Sequence, residues 1–253
     1  MAHKLLNLYQ LSDGYCYNTD SLLLAFFARE FLKPKMRLLD IGAGCGILGL
    51  LCAREVGDCM LEMVELEQKA CFLARKNAQN TDFAKTALVH NCNIFDFSTS
   101  TLFDFVISNP PFYNIGILKS PNERKNLARV QDSMPLDLFF KHIKRLLKPR
   151  GNLVFCYDAR EIGRLFYELF KAGFCAQNAR FVYPLANRNA SLILLQAKID
   201  YKGMLNLLPP LFTHDSPNQH DNTPELKAVY EWARTKSIKI ESSAIKLDDL
   251  KQI

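Results

Sequence analysis

The sequence predicts an α/β protein in which helices cover both faces of a mostly parallel sheet. Short apolar stretches that suit strands alternate along the chain with amphipathic stretches that suit helices, as in repeated βαβ units. Glycines crowd the first strand-to-helix turn, at residues 42–46, as in doubly wound folds that bind nucleotides. Two strand-like stretches on either side of residues 187–189 follow each other with only a loop between them, which indicates an antiparallel ending to the sheet.

Apolar periodicity, with the glycines and prolines that interrupt it, defines the individual elements. Strands are predicted at residues 36–41, 60–65, 86–90, 104–108, 152–157, 177–183 and 190–197. Helices are predicted at residues 22–31, 47–55, 68–80, 135–147, 159–172 and 224–235. The last of these helices begins with Pro224, a residue favoured in a first helical turn.

The elements group into three expected segments. Residues 1–35 are expected to form an N-terminal flap and helix, residues 36–200 the main α/β domain, and residues 201–253 a C-terminal extension packed on that domain. Within the extension, residues 205–224 are rich in Pro, Asn, His and Asp and predict a linker or loop. The charged segment 236–253 either frays or packs as a short helix, and both alternatives stay open.

The composition favours a cytoplasmic protein with a full apolar core. Apolar residues make up 49% of the 253 residues, yet no apolar run approaches the roughly 20 residues that a membrane span needs. The start of the chain lacks the apolar stretch of a signal peptide. The eight cysteines form no Cys-x-x-Cys pair and sit mostly within apolar stretches, so we expect reduced core residues and no metal site.

The positive charge is concentrated in one part of the chain. The net charge is +6, and residues 117–150 hold nine basic residues against three acidic ones, which equals the whole excess. Such a stretch can contact the phosphates of a nucleic acid, or it can be a solvated helix face. Because it begins directly after the motif at residues 109–112, where a substrate would enter, we favour nucleic acid.

The Asn-Pro-Pro-Phe motif at residues 109–112 closes the fourth predicted strand and is the strongest local signal. The side-chain oxygen of Asn109 and the carbonyl of Pro110 can both accept hydrogen bonds from an exocyclic amine. Phe112 can stack on the ring that carries this amine. Beside a nucleoside-bearing cofactor, this arrangement predicts methylation of an amine by S-adenosylmethionine. The alternative is a structural Pro-Pro turn at the end of a strand.

The glycines and an acidic residue predict the cofactor site. Gly42, Gly44 and Gly46 allow the backbone to approach a ligand that a Cβ atom would exclude, although such a turn can also be purely structural. Glu65 ends the second predicted strand, where its carboxylate can accept both hydroxyl groups of a ribose. Glu67 is the competing candidate.

Two further positions are candidates for contact with the cofactor. Asn93 follows the third predicted strand, where it could meet an adenine ring, but it could equally form a turn, and Asp96 is a second candidate. Asp20 lies in a stretch that could form a flap over the methionine end of the cofactor. Alternatively, Thr19, Asp20 or Ser21 could simply cap the helix that follows.

The chain resembles the Rossmann-like S-adenosylmethionine-dependent methyltransferases and, more narrowly, the bacterial tRNA1(Val) adenine-N6-methyltransferases. The resemblance rests on residues 14–25, 39–46, 64–67, 109–112 and 146–149. The stretches 208–215 and 222–226 also look like the ending of that family, which the wider superfamily lacks. Two departures are Asn93, where family members usually carry Asp, and Val130-Gln131 in place of a His-Glu pair.

This resemblance implies a seven-stranded sheet with an antiparallel last strand, S-adenosylmethionine as cofactor, and tRNA as partner. The substrate would be the adenine 3′ of the anticodon, reached through the anticodon stem-loop. With the motifs above, it places catalysis at Asn109, Pro110 and Phe112. The predicted cofactor residues are Asp20, Asp40, Gly42, Gly44, Gly46, Glu65 and Asn93. The predicted RNA contacts are Phe112, Tyr113, Lys119, Arg124, Lys125, Arg129 and Arg188.

Three alternatives to a tRNA adenine stay open at the level of sequence. An amine of an rRNA or DNA base would suit the same motif. So would the side-chain amide of a glutamine in a release factor, although enzymes of that kind usually carry an N-terminal helical domain, and here only about 35 residues precede the first predicted strand. The third alternative is an RNA-binding protein that keeps the cofactor without turnover.

Overall fold

The computed structural model describes residues 4–14, 16–110, 134–218 and 220–246. The strands are β1 (Leu6–Leu11), β2 (Arg37–Ile41), β3 (Met60–Glu65), β4 (Leu88–Asn91), β5 (Phe103–Ser108), β6 (Leu147–Asp158), β7 (Phe174–Tyr183), β8 (Leu192–Ile199), β9 (Asn206–Leu207), β10 (Leu211–Phe212) and β11 (Thr235–Ile240). The helices are α1 (Thr19–Ala28), α2 (Ile47–Val56), α3 (Gln68–Gln79), α4 (Leu136–Leu146), α5 (Ile162–Lys171) and α6 (Pro224–Ala233).

The seven predicted strands form one sheet in the order β4-β3-β2-β5-β6-β8-β7. All neighbouring pairs are parallel except those of β8, which runs antiparallel to both β6 and β7. The predicted fold, a mostly parallel seven-stranded sheet with an antiparallel last strand, is therefore confirmed. The short strands β9 and β10 also pair with β7 and extend this edge beyond the prediction.

Alternate residues of the central strands feed two separate cores, one on each face of the sheet. In β2, Leu38 belongs to the core beneath α1, α2, α3 and α6, while Leu39 belongs to the core beneath α4 and α5. Both side chains are almost fully buried, as expected for a parallel sheet that is covered on both faces. The predicted helices on both faces are thus confirmed.

Among the boundaries that differ from the prediction, two have clear local reasons. Helix α1 begins at Thr19 because Asn18 caps it, its side-chain oxygen accepting the Ser21 N–H at 3.4 Å. Strand β6 begins at Leu147, before the predicted start at residue 152. Residues 148–151 form an irregularity within it, where Arg150 has φ +64° and the pairing with β5 shifts register.

The two ends of the described chain pair with each other, which the sequence did not predict. Strands β1 and β11 form a separate two-stranded parallel sheet, with Leu6 opposite Thr235 and Leu11 opposite Ile240. Residues 235–240 therefore neither fray nor form a helix, and a short 3₁₀ turn follows at Ser242–Ala244.

Helix α6 anchors the C-terminal residues on the main body. It packs on α1, and the guanidinium of Arg54 in α2 donates hydrogen bonds of 2.8 Å to the carbonyls of Trp232 and Ala233 at the end of α6. These bonds satisfy carbonyl groups that a helix leaves free at its C-terminus.

All eight cysteines are free thiols, and four of them are buried. The expectation of reduced, small core residues is therefore confirmed for Cys45, Cys52, Cys71 and Cys156. Among the helices of the described ranges, none is long and apolar enough to cross a membrane.

Candidate active site

The predicted site residues meet where the parallel strands end. Glycines 42, 44 and 46 follow β2, Glu65 ends β3, and Asn109 follows β5. Strand β2 lies between β3 and β5, so the chain passes to opposite sides of β2 at this edge. Such a switch point opens a crevice at the carboxyl ends of the strands, which is where ligands bind in open α/β sheets.

The glycine-rich turn leaves free space in front of its backbone. Gly42 and Gly44 adopt φ angles of +68° and +56°, which favour glycine, and a Cβ atom built on either one would meet nothing within 4 Å. The turn is held from behind, because the N–H groups of Gly42 and Ala43 donate to the Val64 carbonyl at 2.9 and 3.1 Å. The result is a rigid, open cradle that a ligand can approach closely.

Asp40 lies behind this cradle. Its carboxylate is fully buried and accepts the Gly49 N–H of helix α2 at 2.8 Å. A Cβ atom on Gly49 would lie 2.9 Å from Leu61 Cδ1, so the helix approaches closely only because this residue is glycine. In this structure Asp40 therefore fixes the strand, the turn and the helix to one another.

Burial raises the pKa of Asp40 from 3.8 to about 7; the Gly49 hydrogen bond opposes this rise and the negative charge of Glu65 adds to it. The unfolded chain releases this proton near its ordinary pKa, so the contribution of Asp40 to stability falls as the pH rises from about 4 to about 7. We expect Asp40→Asn, which keeps an acceptor for Gly49, to reduce the loss of stability between about pH 5 and pH 8.

Urea unfolding across this pH range would measure the effect. Some dependence should remain, because burial also raises the pKa of Glu65 and of Asp20. Equal changes of the urea midpoint in the parent protein and the variant would contradict the role given to Asp40.

Glu65 faces the cradle from the end of β3. One carboxylate oxygen accepts the Gly44 N–H at 2.7 Å and the other accepts the Glu67 N–H at 2.8 Å. A carboxylate offers about four lone-pair positions, so it retains acceptor capacity for two hydroxyl groups. The side chain of Glu67 instead caps helix α3 by accepting the Ala70 N–H at 2.6 Å. The geometry therefore favours Glu65 over Glu67 as a ribose ligand.

We expect Glu65→Ala to weaken the binding of S-adenosylmethionine by about 10- to 100-fold, because hydrogen bonds to a charged acceptor contribute roughly 1.5–3 kcal/mol. Calorimetric titration would measure this loss. Glu67→Ala is the matched comparison, since it removes a helix cap and should lower stability while leaving cofactor affinity close to that of the parent. A larger loss of affinity for Glu67→Ala would exchange the roles of the two residues.

Asn93 and Asp20 have local structural partners. The Asn93 side-chain oxygen accepts the Phe95 N–H at 3.0 Å and caps a short 3₁₀ turn, as in the turn-forming alternative. Asp20 lies in the first turn of α1 and accepts a hydrogen bond of 3.0 Å from the Asn18 amide. The competing candidate Asp96 is exposed.

The Asn109 side chain contacts two residues that sequence reasoning did not assign to the site. Its amide nitrogen donates to Ser21 Oγ at 3.2 Å, and its oxygen accepts from Cys156 Sγ at 3.1 Å. The sequence indicates only a possible helix cap for Ser21 and a core position for Cys156. Pro110, whose carbonyl is the second predicted acceptor, is buried.

Asn77 joins the two-stranded sheet of β1 and β11 to the glycine-rich turn. It is fully buried in α3, and its side chain both accepts from the Tyr9 N–H and donates to the Tyr9 carbonyl, each at 2.9 Å. The same amide donates to the Cys45 carbonyl, within the glycine-rich turn, at 2.9 Å. The sequence analysis did not identify Asn77. The only signal for it in the sequence is a polar residue on an otherwise apolar face of the helix.

Most of the predicted RNA contacts lie outside the described residues; they are Phe112, Tyr113, Lys119, Arg124, Lys125 and Arg129. Arg188 is exposed in the connection between β7 and β8. Because β7 runs parallel to β6, this connection lies at the same edge of the sheet as Asn109.

The end of the basic stretch, at Lys148, lies at the opposite edge of the sheet from Asn109. Lys148 forms an ion pair of 2.8 Å with Asp104, near the start of β5. Asn109 comes five residues after Asp104 along β5, which separates the two positions by roughly 16 Å at about 3.3 Å per residue.

An open glycine cradle, a carboxylate beside it and an Asn-Pro loop across a switch point define a Rossmann-like methyltransferase. The model of the methyltransferase small domain family matches residues 17–160. The chain belongs to this family and, within it, to the family of tRNA1(Val) (adenine(37)-N6)-methyltransferases.

Individual relatives agree with this assignment. A tRNA1(Val) (adenine(37)-N6)-methyltransferase of Dyadobacter fermentans is 28% identical over 70% of this chain and 73% of its own length. The protein of the same name from Aliivibrio fischeri is 31% identical over 63% of this chain and 67% of its own length. A crystal structure described as a predicted O-methyltransferase from Agrobacterium tumefaciens has a TM-score of 0.65 at 17% identity, covering 87% of this chain and all of the other; this likeness supports the fold alone.

Proposed function

We propose that this methyltransferase transfers a methyl group from S-adenosylmethionine to the N6 amine of an adenine in tRNA, at the base 3′ of the anticodon of a valine tRNA. The observation that carries the proposal is the position of Asn109 across the switch point from the glycine cradle. The names of the relatives support the choice of substrate.

The cradle fits a nucleoside cofactor. The free space in front of Gly42 and Gly44 would allow a cofactor to approach the backbone of the turn closely. The carboxylate of Glu65 can still accept hydrogen bonds from the hydroxyl groups of a ribose. When bound, S-adenosylmethionine supplies a methyl group on a positively charged sulfur, which is a reactive donor without further activation.

The role of the chain is to orient the amine. The side-chain oxygen of Asn109 and the carbonyl of Pro110 would each accept one N–H of the adenine amine, which turns its lone pair out of the ring plane and towards the donor. The amine so oriented would take the methyl carbon that the cofactor supplies, with the sulfur leaving as a neutral thioether, and would afterwards lose one proton to water. Alignment supplies most of the rate, so the step needs no strong base.

The same proposal includes the surroundings of the site. Arg188 would contact the RNA backbone of the anticodon stem-loop from the β7–β8 connection, together with the basic residues that follow Phe112.

The proposal also divides the chain into three parts. Residues 1–35 would act as flap and helix, residues 36–200 as the catalytic domain, and residues 201–253 as an extension packed on it. A tRNA substrate also supports a cytoplasmic location.

Transfer of labelled methyl groups to unmodified total tRNA, followed by nucleoside analysis, tests the proposal. We expect the label in N6-methyladenosine of a valine tRNA. Label that is absent from tRNA but present in rRNA, DNA or a release factor would refute the tRNA assignment. Cofactor binding without transfer to any of these acceptors would refute the enzymatic activity and favour an RNA-binding role.

A further inference from the structure

The amide of Asn109 has two ends of nearly the same shape but opposite hydrogen-bonding character. The oxygen accepts hydrogen bonds, while the nitrogen carries two hydrogens and only donates. An amine substrate also presents N–H groups. If the Asn109 amide were rotated by half a turn, its own N–H groups would face those of the substrate and no hydrogen bond could form. This inference rests on the proposed function, since it is an amine substrate that requires the oxygen to face the crevice.

Ser21 provides a partner for the nitrogen end. Its hydroxyl lies 3.2 Å from the Asn109 nitrogen and is 2% exposed. The first turn of α1 fixes its position, because the Ser21 N–H bonds to the capping side chain of Asn18. A hydroxyl oxygen has two acceptor lone pairs, so one N–H of the amide is satisfied here, away from any substrate.

Cys156 provides a partner for the oxygen end. It is fully buried in β6, and its sulfur lies 3.1 Å from the Asn109 oxygen. Burial, with a further contribution from the negative charge of Asp20, raises the pKa of this thiol well above its usual range, so the thiol keeps its proton and donates. Because a thiol is a weak donor and a carbonyl oxygen has two lone pairs, the oxygen can still accept a substrate N–H.

We propose that Ser21 and Cys156 are positioning residues that hold the Asn109 amide with its oxygen available to the substrate amine. Helix α1 and strand β6 thereby set the orientation of the side chain before any substrate arrives. Neither residue touches the reacting atoms; both act through Asn109.

The test compares variants that remove or keep each hydrogen bond. We expect Ser21→Ala to lower kcat about 10-fold, the equivalent of one hydrogen bond of roughly 1–1.5 kcal/mol, while the KM for S-adenosylmethionine stays close to that of the parent. Ser21→Thr keeps the hydroxyl and should retain most of the activity. Likewise Cys156→Ala should lower kcat and Cys156→Ser should restore it. Ser100→Ala and Cys175→Ala, which lie away from Asn109, are the matched controls.

Hydrogen exchange of the Asn109 side-chain amide, followed by NMR, provides a measurement that needs no substrate. Comparison with Asn109→Ala assigns the signal, and we expect Ser21→Ala to speed its exchange several-fold. Parental kcat in both Ser21→Ala and Cys156→Ala, or an unchanged exchange rate in Ser21→Ala, would overturn the positioning role. A parent protein that methylates no amine but shows protected exchange would instead refute the proposed function while retaining the positioning role.

Discussion

Asn109→Ala is expected to abolish methyl transfer to RNA, with a loss of at least about 100- to 1,000-fold, while S-adenosylmethionine binds as in the parent. The substitution removes one of the two acceptors proposed to orient the amine, and the loss of a single preorganised polar group in an active site typically costs this much. The glycine cradle should persist, because the Gly44 N–H is held by Glu65, whereas the side chain of Asn109 bonds to Ser21 and Cys156. Single-turnover transfer of a labelled methyl group and calorimetric titration of the cofactor would measure the two effects.

Asn187→Ala is the matched control for this experiment. Asn187 is exposed in the β7–β8 connection, so the same change of side chain there should leave the chemical step close to that of the parent. Parental turnover in Asn109→Ala would contradict the proposed mechanism. A loss of cofactor affinity that matches the loss of rate would show that the substitution damages the cradle.

Asn77→Ala is expected to destabilise the protein by about 3–5 kcal/mol. The variant leaves the Tyr9 N–H and the carbonyls of Tyr9 and Cys45 without their buried partner, and each such group costs roughly 1–3 kcal/mol. Because Cys45 belongs to the glycine-rich turn, the affinity for S-adenosylmethionine should fall as well. Urea unfolding would measure the stability, and hydrogen exchange should show faster exchange in β1.

Gln79→Ala, an exposed position in the same helix, is the control for Asn77→Ala. The two substitutions remove similar amide side chains from α3, so the difference between them isolates the buried contacts. Equal urea midpoints for the two variants would refute the bracing role of Asn77.

The sequence predicted the central fold because local patterns determine it. The apolar stretch of β2, the glycines after it and the helical spacing of α2 lie within one short range, and the structure reproduces them nearly residue for residue. The position of Glu65 follows from the same local logic, since it simply ends the strand next to the glycine-rich turn.

Long-range contacts were not predictable in this way. Leu6 and Leu8 alternate as in a strand, but nothing near them in the sequence shows that Thr235 and Ser237 are their partners. The contacts of Asn109 are similar, because Ser21 reads locally as a helix cap and Cys156 as an apolar filler. The count of charges also did not show where the basic side chains lie. Lys148 pairs with Asp104 because of the edge of the sheet at which each of their strands begins, and that edge cannot be read from the charges.

The parallel pairing of β1 with β11 has a consequence for how the protein is made. Strand β1 leaves the ribosome early, yet its partner at Thr235–Ile240 is synthesised only after the whole central sheet. Gln10 of β1 also accepts the Tyr17 N–H at 3.1 Å, so the segment that leads into α1 depends on the same strand. During translation the nascent chain can thus assemble its central sheet first. The β1–β11 sheet, which Asn77 ties to the glycine-rich turn, can form only when synthesis has passed residue 240.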